Sequence, residues 1–309
     1  MSDHLSPDTS SLQERSINAR HVALQFARRR SLAQARFILD EIAQRMIDRL
    51  SYIRMQPTTL IDMGCGPGLR LSALQEKYPK MNYIGVDSCP TFIQEANDML
   101  KKKGVKSLLN HILSSKSVSF IQKDMAETGL APESADIIWS NLALHWHPLP
   151  ERVMAEWRRL LKVGGLCMFS CFGPHTCIEV REALGRAGLV TQTMDFVDMH
   201  DFGDMMIDQG FLDPVMDQEI ITLTYKTPEK LLADVYHLGG NPCIGRSDGL
   251  KGRQWYQALL DGLEQGRKED GLLHLTLELC YGHAWRSATT KGSQPGETRI
   301  SISSIGYRS

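Results

Sequence analysis

The chain contains no C-x-x-C pair, no apolar run of the roughly eighteen residues a membrane helix needs, no internal repeat and almost no net charge. Each absence removes a class of protein. The 35 Lys and Arg side chains nearly cancel the 36 Asp and Glu, leaving a formal charge of −1, so no molecule-wide field marks a nucleic-acid binder. Aromatic residues make up 7% and form no interleaved stripe on which bases would stack. The seven cysteines, Cys65, Cys89, Cys167, Cys171, Cys177, Cys243 and Cys280, are an odd set without paired spacing. They read as reduced thiols rather than a disulfide framework or a zinc site. The opening "MSDHLSPDTSSLQERS" is polar and lacks an apolar core of signal-peptide length, which predicts a cytoplasmic protein without a membrane partner.

What the chain does have is the stretch "TTLIDMGCGPGLRLSAL", Thr58 to Leu74. A β-branched run ends at Asp62, glycines follow at Gly64, Gly66 and Gly68, and a helical pattern begins. Glycine admits positive φ and lets a ligand approach backbone N–H groups without meeting a Cβ. The G-x-G-x-G spacing brings the third glycine one residue earlier than in the G-x-G-x-x-G dinucleotide fingerprint, which weakens a nicotinamide reading. A purely structural turn remains the alternative.

Around this loop, strands and helices alternate. "TTLIDM", "NYIGVD", "VSFIQKD", "ADIIWSN" and "GLCMFSCF" read as strands one to five, separated by helical "LRLSALQEKY", "PTFIQEANDMLKKK" and "ERVMAEWRRLLK". This order implies right-handed crossovers and a parallel sheet. "PVMDQEIITLTY" and "LLHLTLELCYGHAW" supply strands six and seven, with helices near Thr227 to Leu238 and Lys251 to Leu263 between them. The spacing predicts an amphipathic helix from Ser31 to Leu50 within a helical region at 16–57, preceded by a flexible tail at 1–15. A single domain then spans 16–309, with a cofactor-binding core at 58–172 and the rest of the sheet at 201–309. The surplus segment 173–200 is expected to hang over the sheet as a substrate lid, and 104–117 is read as a polar insertion.

"LIDMGCGPG", the acidic strand end in "IGVDSC", the "QKDMAE" turn and "SNLALHW" together resemble the seven-stranded, mostly parallel Rossmann-like α/β fold of S-adenosylmethionine-dependent methyltransferases, helices covering both faces. The resemblance implies that Asp62, Gly64, Cys65, Gly66 and Gly68 surround the methionine portion of that cofactor. It also implies that Asp87 accepts the ribose hydroxyls, that Asp124 takes the adenine amino group with Met125 on the ring, and that Asn141 completes the site. Helix capping by Asp87 and plain core packing by Met125 stay open as alternatives.

Further segments, from "FARRRSLAQARFILDEIAQRM" to "TPEKLLADVYHLGGNP", are similar to the malonyl-acyl-carrier-protein O-methyltransferases of biotin (pimeloyl) synthesis. That family esterifies the free carboxylate of a malonyl thioester. The "FILDEIAQRM" helix with "YGHAW" and "GETRISI" also looks like a same-fold respiratory complex I assembly factor, which implies protein-arginine hydroxylation or assembly without turnover as alternatives. A malonyl carboxylate is ionised at neutral pH, so its methylation needs orientation and exclusion of water more than a base. His145 and His147 are the candidate polar residues in "LALHWHPLP", read as part of the site wall rather than as metal ligands for want of a third partner. Arg181 is the candidate carboxylate fork, with a solvated helix-face arginine as the alternative. Arg28, Arg29 and Arg30 form a basic cluster that could steer an acidic acyl-carrier protein carrying malonyl-phosphopantetheine.

Overall fold

In a computed structural model, residues 15–28, 36–111, 117–247, 249 and 251–288 are described, with side chains omitted at 103–111. Five strands, β1 (Thr59–Met63), β2 (Asn82–Asp87), β3 (Val118–Gln122), β4 (Ala135–Asn141) and β5 (Leu161–Phe172), pair in parallel in the order β3-β2-β1-β4-β5. β7 (Leu273–Arg286) runs antiparallel to β5 and to the edge strand β6 (Phe211–Tyr225), giving seven strands ordered β3-β2-β1-β4-β5-β7-β6. The order reverses at β1 and β4, and a crevice opens there at the carboxyl ends of the strands.

Alternation along each strand sends neighbouring side chains to opposite faces. Leu60, Ile137, Leu166 and Met168 join one core cluster, while Ile61, Ile138, Cys167 and Phe169 join the other. The first face is covered by α2 (Arg36–Leu50), α3 (Leu71–Lys77), α4 (Pro90–His111), α6 (Ile178–Arg186) and α9 (Arg253–Glu264), the second by α5 (Pro150–Leu160) and α7 (Met199–Asp208). In α2, Ile38, Ile42, Met46 and Leu50 recur at four and are buried. Each contributes about 1.5–3 kcal/mol as an upper figure. Arg45 and Arg49 on the same helix pair with Glu219 and Asp217 of β6, while Arg36 pairs with Asp40 within α2. Arg45 and Arg49 thereby tie α2 to the edge strand.

Several elements depart from the sequence expectations. The part of the expected insertion from 104 to 111 continues α4, which runs through His111, and 112–116 lie outside the described residues. β6 begins at Phe211 rather than at Pro214. An edge strand tolerates proline at a bulge, and the register shifts between Leu212 and Val215, with Asp213 at φ 49°. Arg15 is no tail residue, since its N–H donates to the Pro148 carbonyl at 3.1 Å and its guanidinium reaches the carbonyls of His145 and Asp195. Residues 1–14 lie outside the described residues.

An additional helix, α1 (Ala19–Arg28), precedes the expected one. A strap just before it holds the loop at 241–246: Asn18 N donates to Pro242 O at 3.0 Å and Ile244 N to Ser16 O at 2.9 Å. Between β6 and β7 the chain inserts α8 (Pro228–Leu238) and α9, and α8 begins at the carboxyl end of the sheet with Thr227 as its cap.

Candidate active site

The loop after β1 turns at Gly64 with φ 75°, and a Cβ there would fall 2.2 Å from the Ala143 Cβ, so only glycine fits between β1 and the turn after β4. The N–H groups of Gly64 and Cys65 both donate to Val86 O, at 2.8 and 3.1 Å. Asp87, at the end of β2, accepts from Gly66 N through Oδ2 and from Cys89 N through Oδ1, each at 2.8 Å. The Cys89 N–H precedes α4 rather than belonging to its first turn, so Asp87 does not cap that helix, and its carboxylate, which accepts about four hydrogen bonds, keeps capacity to spare and lines the cavity in front of it. Burial pushes its pKa upward against those two N–H donors.

Asp62 is almost wholly buried and accepts from Tyr83 Oη at 2.5 Å. Burial raises its pKa to about 7, against the pull of Tyr83 and Arg70. Asp124 behaves oppositely: His147 Nε2, 3.2 Å from its Oδ1, holds its pKa down, while Ala126 N donates to the same oxygen at 2.7 Å. His147 Nδ1 accepts from Leu149 N at 3.0 Å, so the proton that faces Asp124 sits on Nε2. Asn141 is tied on both sides, donating to Leu39 O at 3.0 Å and accepting from Ser170 Oγ at 2.9 Å.

These groups converge on a cavity of about 390 Å³, towards the small end of the roughly 300–1,000 Å³ of ligand pockets. Its walls include Asp62, Gly64, Cys65, Gly66, Asp87, Asp124, Met125 and Asn141, eight of the nine expected cofactor contacts. Gly68 is the exception. Its φ of 75° and the closeness of Phe120 Cζ, 2.6 Å from where a Cβ would sit, make it a packing glycine behind the loop.

The acceptor candidates fare differently. His145 does not line the cavity; it is fully buried among the rings of Trp146, Phe172 and Phe196, where burial drives its pKa well below 6.5. Arg181 spends its guanidinium on the carbonyls of Thr176 and Pro174 and does not line the cavity either. Nor does any residue of 173–200: α6 packs against α9 and β7, so the expected lid is a side layer. The wall opposite the glycine loop comes instead from α1 and the end of α8. Phe26 of α1 meets Phe92 and Trp146 edge-on, with ring centroids 6.2 and 5.5 Å apart. Gly239 makes room for the Trp146 indole, since a Cβ would lie 1.8 Å from it. Ala19, Val22, Ala23 and Phe26 were readable at spacings of three and four as a helical face. The glycine pair ending "HLGG" was the other overlooked signal. No group of three or more His, Cys, Asp or Glu able to hold a metal occurs among the described residues.

The glycine cradle, the cavity-lining carboxylate of Asp87 and the strand-end position fit S-adenosylmethionine, and with the sheet order they define a Rossmann-like S-adenosylmethionine-dependent methyltransferase. The methyltransferase-domain family matches residues 61–169. The solved YcgJ protein from Bacillus subtilis shares the fold, with a TM-score of 0.54 at 15% identity over 80% of this chain and all of that one. Curated relatives are nearer. The malonyl-acyl-carrier-protein O-methyltransferase of Laribacter hongkongensis is 36% identical over 82% of this chain and 84% of its own length. That of Nitrosospira multiformis is 35% identical over 93% and 95%. The chain belongs to the malonyl-acyl-carrier-protein O-methyltransferase family.

Proposed function

We infer that the chain methylates the free carboxylate of malonyl-acyl-carrier protein in the cytoplasm, giving the methyl ester from which the pimeloyl portion of biotin is extended. The observation that carries this reading is the reach of the similarity, which covers 93% of this chain and so extends far beyond the glycine loop.

S-adenosylmethionine, when bound, supplies an electrophilic methyl group on a sulfonium. Asp87 would take the ribose hydroxyls, Asp124 and Met125 the adenine, and Asp62 with the loop from Gly64 to Gly66 the methionine end; Asn141 holds the turn after β4 beside it. Transfer of that methyl to the acceptor carboxylate would form the O–CH3 bond as the S–CH3 bond breaks, its electron pair left on sulfur. No proton moves, so the step asks for no general base. The apolar wall of Phe26, Trp146, Phe172 and Leu238 excludes water from the reacting atoms. Arg28 stands at the exposed end of α1, and with Arg29 and Arg30, which lie outside the described residues, would steer the acidic carrier.

Transfer of labelled methyl to malonyl-carrier protein, with acetyl-carrier protein as the control lacking a free carboxylate, tests the reading. Label on the malonyl form alone supports it. Equal labelling of both, or an oxygen-dependent mass gain on a protein arginine, overturns it.

A further inference from the structure

Methyl transfer needs a pocket closed to water, yet S-adenosylmethionine must enter it and the demethylated S-adenosylhomocysteine must leave, so part of the wall has to move. The walls differ in how firmly they are held. Asp62, Cys65, Cys89, Phe92, Leu142 and Ala143 line the cavity as buried residues of the sheet and its turns, whereas α1 contributes Ala19, Val22, Ala23 and Phe26 and has no buried residue. An element with so little buried surface opens at low cost.

The chain just before α1 is pinned. Arg15 N donates to Pro148 O, Asn18 N to Pro242 O and Ile244 N to Ser16 O, while Ile17 and Cys243, both buried, face each other in an antiparallel bridge. Asn18 then caps the helix, its Oδ1 accepting from His21 N at 3.1 Å. Along the helix the grip loosens. Gln25 Nε2 reaches the Asn241 carbonyl at 3.3 Å and Arg246 shares that acceptor at 3.4 Å, which leaves Gln25 Oε1, Arg246 Nε and His21 Nδ1 buried without a hydrogen-bond partner among the described residues. Polar atoms in that state favour parting, since water satisfies them once the contact opens. We propose that α1 is the lid of the site. It swings about the pinned strap at Asn18 to admit and release the cofactor, and it closes when Phe26 seats edge-on against Phe92 and Trp146. The segment expected to do this from the sequence, 173–200, lines no part of the cavity.

The cofactor alone requires such a lid, whatever the acceptor, so the test uses S-adenosylhomocysteine as its only ligand. Spin labels at Leu24→Cys on α1 and Val163→Cys near the start of β5 read the motion by pulsed electron paramagnetic resonance; both positions are exposed, while the seven native cysteines are buried or half-buried. Ligand-free protein should show two distances and saturated protein one. Phe26→Ala should bring the second distance back under ligand and release S-adenosylhomocysteine roughly tenfold faster, the scale of losing two aromatic contacts. Ile17→Cys checks the hinge, because opposed residues of an antiparallel bridge lie about 4.5–5.5 Å apart between Cα atoms, within reach of a disulfide to Cys243. Oxidised by diamide, this variant should keep the release rate within about twofold of its reduced form. One distance common to the free and saturated states overturns the proposal, and so does an unchanged release rate in folded Phe26→Ala protein. Release slowed well beyond twofold by the disulfide and restored on reduction overturns the hinge at Asn18, since the strap itself would then have to detach.

Discussion

Replacing Asp87 by alanine is expected to cost cofactor affinity far more than it costs folding. Each carboxylate oxygen already accepts one backbone N–H at 2.8 Å, from Gly66 and from Cys89, and the remaining acceptor capacity faces the cavity. A hydrogen bond from a ribose hydroxyl to that charge is worth about 1.5–3 kcal/mol, which raises the S-adenosylmethionine Kd roughly 10- to 150-fold when it is lost. The effect on stability is a difference between opposing parts. Two N–H groups lose their acceptor, but the cost of burying the carboxylate, visible in its raised pKa, is lost as well. Asp87→Asn should bind no better than half-way between the two, because one of its terminal atoms presents N–H to a backbone N–H. Titration calorimetry on folded protein, with circular dichroism to confirm the fold, decides it. An affinity within twofold of wild type in a folded Asp87→Ala protein would refute the assignment.

Asp62 predicts a pH signature. Its folded pKa of about 7 lies above the ordinary 3.8, so its contribution to stability is present below pH 4 and is lost as pH rises through 7. The span corresponds to about 4 kcal/mol, and Asp62→Asn should flatten that part of the pH dependence of Tm in ligand-free protein. Tyr83, Arg70 and Asp87 are the groups that face it, and a cationic ligand favours its ionised form. S-adenosylmethionine should therefore bind more tightly at pH 8 than at pH 6, with proton release measurable as a buffer-dependent enthalpy. Gly239→Ala places a methyl 1.8 Å from the Trp146 ring and should raise the acceptor KM while leaving cofactor affinity near wild type, as steady-state kinetics and calorimetry would show. Changing Arg28, Arg29 and Arg30 together to Ser should lower kcat/KM for carrier-bound malonate and flatten its salt dependence, because the charge acts over a screening length of about 8–10 Å. A small malonyl thioester should be little affected, and equal losses on both substrates would refute carrier steering.

The cofactor half of the molecule was legible in the sequence because its constraints are local. A loop with no room for a Cβ must be written as glycine, and strand-end acids such as Asp87 and Asp124 sit next to the strands that aim them. Gly68 misled because a positive φ looks the same in sequence whether it serves a ligand or Phe120. The acceptor half was harder to read, since its wall is assembled from α1, the turn at Trp146 and the end of α8, each more than ninety residues from the next in sequence. Nothing in "HLGGNP" says that an indole packs on its glycine. The lid was assigned to 173–200 because surplus length after a strand commonly covers a site, yet the insertion that reaches the cavity follows β6 instead.

Mass spectrometry of the carrier's pantetheine-bound product reads ester formation on the acyl chain itself. After incubation with S-adenosylmethionine, the malonyl group should carry one added methyl, confined to its distal carboxylate and released as methanol by mild base. A product whose added methyl resists base, or an unmodified malonyl group beside turnover of the cofactor, would contradict the account.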